Sequence, residues 1–157
     1  MNIYRKTLRV FIAPATLLLA CCLTGVQAAE NPAPANASLH PVYVQFGEKA
    51  GLVAIVDDLM INLIRDPRTR AFFADADQKH IKIELVDQFC VILGGPCTYT
   101  GKDMVKTHAK LKIDRAQFNA LVEDLQNAMD KHHVPFRAQN KLLAKLAPMH
   151  REVVNQP

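Results

Sequence analysis

A helix that must end at Gly94-Gly95-Pro96 constrains this chain more than any other feature. Glycines are conformationally loose and proline has no backbone N–H, so the three together stop an α-helix. The stretch 94–103 has no apolar periodicity and reads as loop. Residues 104–111 then make one or two helical turns that carry His108. Upstream, Ile81, Leu85, Phe89 and Ile92 form the buried stripe of a helix over about 77–93. Before that, Leu52, Ile55, Val56, Leu59, Met60 and Leu63 follow the i, i+3, i+4, i+7 spacing of one buried face. Asp66-Pro67 ends that helix, because the residue before a proline leaves the helical region. A tight polar turn leads into Ala71-Phe72-Phe73.

Downstream, Asp114 with Gln117 three residues later reads as a capping box. The helix it opens buries Phe118, Leu121, Val122, Leu125 and Met129. Pro135 suits the first position of a last helix, whose face carries Leu142, Leu143, Leu146 and Val153. Pro148 kinks it. No strand-like alternation competes and no repeat is present. The fold class is all-α, one domain over residues 42–154 with appendages. Residues 29–41 are Ala-, Asn-, Pro- and Ser-rich without a large apolar cluster, and read as a disordered linker.

The formal net charge is +4. Arg5, Lys6 and Arg9 supply three of those charges ahead of any acid, so the remainder is near neutral. The basic balance is no argument for nucleic-acid binding. Those cations precede an apolar run over residues 10–23, which is short for a bilayer span. Val26-Gln27-Ala28 places small residues where a signal peptidase reads. Residues 1–28 are therefore an export signal, cleaved before Ala29, and the protein is expected in the periplasm. The rival is lipoprotein processing at Leu18-Leu19-Ala20-Cys21, which would tie the chain to a membrane through lipidated Cys21. An uncleaved anchor is the third reading.

Export bears on the cysteines. Cys21 and Cys22 belong to the signal region, leaving Cys90 and Cys97 on either side of the glycine–proline turn. An oxidising compartment permits a bridge between them. Spacing cannot establish bridge geometry, and the favoured expectation is a buried core thiol at Cys90.

A string of elements in order then gains weight: Val56-Asp57-Asp58, Asp66-Pro67, Phe72-Phe73, Leu93-Gly94-Gly95-Pro96, Tyr99-Thr100-Gly101, Met104, His108, Ile113, Phe118 and Ala147-Pro148. The string resembles the group I truncated haemoglobins over residues 42–154. The resemblance implies a two-over-two helical sandwich enclosing haem b, with His108 as the proximal iron ligand. One departure lies in the frame: the family usually has two glycines after its first short helix, and here Glu48 follows Gly47.

The resemblance also implies an unusual pocket. Oxygen-binding relatives carry a tyrosine whose hydroxyl donates to the bound gas, and that position is Met60. They often carry a glutamine on the next helix, and that position is Leu85. Ile81 lies over the iron, with Leu59, Phe73 and Phe89 completing an apolar wall. Met104 is a further haem-contacting candidate. Ordinary core packing also accounts for Leu59, Phe89 and Met104. No hydrogen-bond donor is offered to the gas, so weak oxygen retention and easy oxidation are expected, with nitric oxide and carbon monoxide less affected. A thioether is a good haem ligand and adapts in shape, which makes Met60 a candidate sixth ligand. His80 is expected near a haem propionate, with Tyr99 and Thr100 on that side. His150 lies where some cyanobacterial members attach a histidine to a haem vinyl. His132 and His133 close a helix, where positive charge is mildly favourable.

The leading functional reading is an exported globin that binds diatomic ligands. Alternatives are nitric oxide detoxification with an unknown reductase or electron donor, and a six-coordinate electron-transfer or redox-sensing haem protein. A haem-free helical partner-binding domain is the reading from a different class.

Overall fold

The computed structural model describes residues 31–156. The expected export signal, with Cys21 and Cys22, lies outside the described residues. Among the described residues the structure is entirely helical: α1 (His40–Gln45), α2 (Glu48–Arg65), α3 (Arg70–Phe73), α4 (Gln78–Ile92), α5 (Met104–His108), α6 (Arg115–Lys131), α7 (Phe136–Leu146) and α8 (His150–Val153). None of these helices is long and apolar enough to cross a membrane.

The apolar stripes dictate the layering. α2 packs on α4, α6 packs on α7, and the pairs meet where α2 contacts α6 and α4 contacts α7. Leu52, Ile55, Leu59 and Leu63 of α2 join Phe89 and Ile92 of α4 in one cluster. Leu125 and Met129 of α6 and Leu142 of α7 complete it. Burying such side chains stabilises the fold by about 1.5–3 kcal/mol each.

Helix ends follow local chemistry. Asp77 caps α4 by accepting from the His80 N–H. The expected capping box forms, with the Asp114 carboxylate accepting from Gln117 N at 2.8 Å and Gln117 Oε1 accepting from Asp114 N at 2.9 Å. Pro135 lies one residue ahead of α7, as its N-cap. Pro148 converts the end of α7 into a tight 3-10 turn, Ala147–Met149. Where the resemblance implies a second glycine, Glu48 itself takes the left-handed conformation, at φ 57° beside Gly47 at 77°. That costs a non-glycine residue about 1–2 kcal/mol, partly offset by a carboxylate in the first turn of α2.

Two expectations are corrected. Cys90 is not a free core thiol: it is bridged to Cys97, with Cα atoms 5.9 Å apart. Gly94, at φ 75°, reverses the chain after α4, and Gly95 N donates to the Cys90 carbonyl at 2.8 Å, which returns Cys97 to the helix end. Residues 31–41 are not a free linker either. Ala33 and Leu39 are buried, Asn36 caps the 3-10 turn Ala37–Leu39, and the Gln88 amide donates to the Pro32 carbonyl. Two small anchors and one satisfied carbonyl are enough to dock a segment that lacks an apolar stripe.

Candidate functional site

His108 ends the five-residue helix α5, whose start is fixed by Asp103. The Asp103 carboxylate accepts from Lys106 N at 2.8 Å, and that N–H, then the Lys106 ammonium, hold it below the usual carboxylate range. The half-buried imidazole of His108 places Nδ1 2.7 Å from the Met104 carbonyl. A carbonyl only accepts, so Nδ1 carries the proton and donates. In the neutral ring Nε2 then keeps its lone pair, the arrangement of a metal-binding histidine.

The chain end fastens this helix from outside. α8 packs on α5, and Asn155 Nδ2 donates to the His108 carbonyl at 2.8 Å. Asn155 N and Gln156 N both donate to the Ile113 carbonyl, at 3.0 and 3.1 Å. Asn155 was not foreseen. Its partners are backbone carbonyls far away in sequence, and such contacts leave no periodic trace.

The structure brings together five of the apolar candidates. Leu59 and Phe89 belong to the central cluster, and Phe73, Leu85 and Met104 pack against it half-buried. Ile81 is half-buried on α4. Met60 is only 3% exposed, yet it stands outside that cluster. His80 is exposed and lies 3.9 Å from the Glu84 carboxylate. Glu84 also lies against Gly101 and adds negative charge beside Tyr99. Burial, then Glu84 and Asp103, push the Tyr99 phenol up, and its hydroxyl donates to the Lys102 carbonyl at 3.0 Å. His150 meets Phe118 edge-on, with ring centroids 4.8 Å apart.

The model of the bacterial-like globin family matches residues 41–155. Group 1 truncated hemoglobin GlbN of Mycolicibacterium paratuberculosis is 26% identical over 112 residues, covering 71% of this chain and 82% of that protein. The group 1 truncated hemoglobin of Tetrahymena pyriformis is 29% identical over 84 residues, covering 54% and 69%. The crystal structure of the Tetrahymena pyriformis protein in its Fe(III) form superposes with a TM-score of 0.69 at 23% identity, over 73% of this chain and 98% of that one. The 2/2 hemoglobin of Synechococcus sp. PCC 7002, with covalently attached heme, gives 0.67 at 19%, with the same coverage. The chain belongs to the bacterial-like globin family and takes haem as its cofactor.

Proposed function

We propose that His108 holds the haem iron through Nε2 and that the opposite face binds diatomic gases in a pocket without a hydrogen-bond donor. The observation that carries this reading is the 2.7 Å hydrogen bond from His108 Nδ1 to the Met104 carbonyl. It fixes the tautomer and orients the ring. The surrounding residues fit the group. Phe73, Ile81, Leu85 and Met104 are large apolar side chains that are only partly buried, as contact with an apolar macrocycle would require. Haem supplies an iron with one open position for oxygen, nitric oxide or carbon monoxide.

The residues of the chain set how strongly a gas is held. Leu85 and Met60 exclude water and offer no donor, so oxygen is retained weakly. The Asn155 hydrogen bond and the packing of α8 restrict movement of α5, and with it the His108 ring. A second reading, a redox protein with Met60 as internal ligand, draws on the burial of that thioether away from the main cluster. The Cys90–Cys97 bridge supports an oxidising compartment such as the periplasm.

The test is the visible spectrum of the haem-loaded protein, ferric and ferrous. His108→Ala is expected to abolish specific haem binding, and an unchanged spectrum would sink the assignment. A five-coordinate ferrous form that shifts with oxygen supports gas binding. A low-spin form in both oxidation states favours Met60 ligation.

A further inference from the structure

The described chain carries its charge unevenly. The stretch 101–115 holds Lys102, Lys106, Lys110, Lys112 and Arg115 against Asp103 and Asp114, a net charge of +3. The other described residues hold 11 cationic and 12 anionic side chains. A second basic stretch, residues 131–151, holds five cationic and no anionic side chains, but 101–115 is the basic segment that carries His108. All five cations are exposed. The two aspartates are engaged as N-caps, each accepting a backbone N–H at 2.8 Å, and Asp103 also pairs with Lys106 at 3.0 Å. α8, packed on α5, contributes Arg151 and Glu152 and leaves the sign unchanged. Among the lysines, Val105 and Leu111 are 44% and 40% exposed.

We propose that this face is the docking surface of an acidic redox protein that passes single electrons to the haem. The proposal rests on the assignment of His108 as the iron ligand. A globin that takes up oxygen works from the ferrous state, so each oxidation must be reversed by one electron from outside. The donor loses that electron and the ferric haem gains it; no bond is made or broken. The entry point has to lie near the haem, and α5 is the element joined to it. Exposed apolar side chains interspersed with cations have the composition of a transient encounter surface. Its charge would steer an acidic partner and speed association by about tenfold or more at low salt. An anionic lipid surface fits less well, because a five-residue helix with two exposed apolar side chains has little to insert.

The haem-loaded full chain is tested with a plant-type two-iron ferredoxin as the acidic one-electron probe. Binding is read first without turnover, with both proteins oxidised, from backbone amide shifts. Shifts confined to residues 101–115 at about 0.02 M salt and lost at about 0.3 M salt are expected. Reduction is then followed by stopped flow. The double variant K110E/K112E should react with reduced ferredoxin about tenfold more slowly and with little salt dependence. Its reduction by a neutral reduced flavin and its far-UV circular dichroism should be unchanged. Equal binding and equal rates for parent and variant would overturn the proposal. So would a variant that loses binding to phosphatidylglycerol vesicles while keeping its affinity for ferredoxin. A protein with no Soret band would instead defeat the haem assignment, and is told apart at the first spectrum.

Discussion

On the proposed reading, Leu85 is the side chain that sets how firmly the pocket holds oxygen. It is half-buried on α4 and packs against the central cluster, and its methyl groups offer nothing to a bound gas. Replacing it by glutamine keeps the approximate size and adds a donor. Leu85→Gln is expected to slow oxygen release about tenfold, the equivalent of about 1.4 kcal/mol. Carbon monoxide release should change much less. Stopped-flow displacement of oxygen checks this, and an unchanged rate would mean that residue 85 does not face the gas. At this scale the sequence was informative about identity and less so about state. Helical spacing puts Leu59, Leu85 and Phe89 on inward stripes, and the structure packs them there. His108 is legible as a histidine on a short helix after a glycine-broken loop. That its Nδ1 donates to the Met104 carbonyl is not legible, because a hydrogen bond depends on ring rotation. Glu84 is half-buried and lies against Gly101, a contact with the returning loop that helical spacing does not register.

At the scale of elements, the segment between α4 and α5 has to hold a short helix in position without regular structure of its own. The Cys90–Cys97 bridge supplies one tie, the Gly95–Cys90 hydrogen bond a second and the Asn155 contact to α5 a third. Helix boundaries were readable because caps and breakers act over a few residues: Asp66-Pro67, Asp77, Gly94-Gly95-Pro96 and Asp114 all end or begin helices in the structure. The bridge was not readable, since two cysteines flanking a turn satisfy the spacing whether or not their backbones converge. Cys97→Ser, or reduction of the parent, is expected to lower unfolding free energy by about 2 kcal/mol. Amides in the stretch 94–103 should then exchange faster than those of α2. Chemical denaturation with and without reductant, followed by hydrogen exchange, makes the comparison. An unmoved midpoint would mean that the two hydrogen-bonded ties hold the segment alone.

On the whole-molecule scale, the two helix pairs are joined by an apolar core and by a polar clamp at one edge of it. Asp58 of α2 reaches Lys131 Nζ at 2.6 Å and His132 Nε2 at 2.7 Å at the end of α6. Residues 73 and 74 positions apart leave no local signal, so this clamp could not be inferred from periodicity. Hydrogen bonds from Lys131 and then His132 hold the Asp58 carboxyl below its ordinary value of 3.8. A carboxyl lowered by folding stabilises the protein above that ordinary value, and the benefit disappears as pH falls through the lowered one. Asp124 works in the opposite sense. It is buried on α6 with Oδ2 unpartnered, and burial, then Asp66, push its carboxyl up, so its ionisation opposes folding as pH rises through the raised value. Asp58→Asn is therefore expected to cost at most about 1 kcal/mol at neutral pH, since Asp58 is sheltered but its partner Lys131 is exposed to solvent. That cost should shrink below pH 3.8, until parent and variant unfold at the same denaturant concentration. Unfolding midpoints by circular dichroism across that range test the sign. A difference that stays constant with pH would assign the loss to packing of the side chain rather than to its charge.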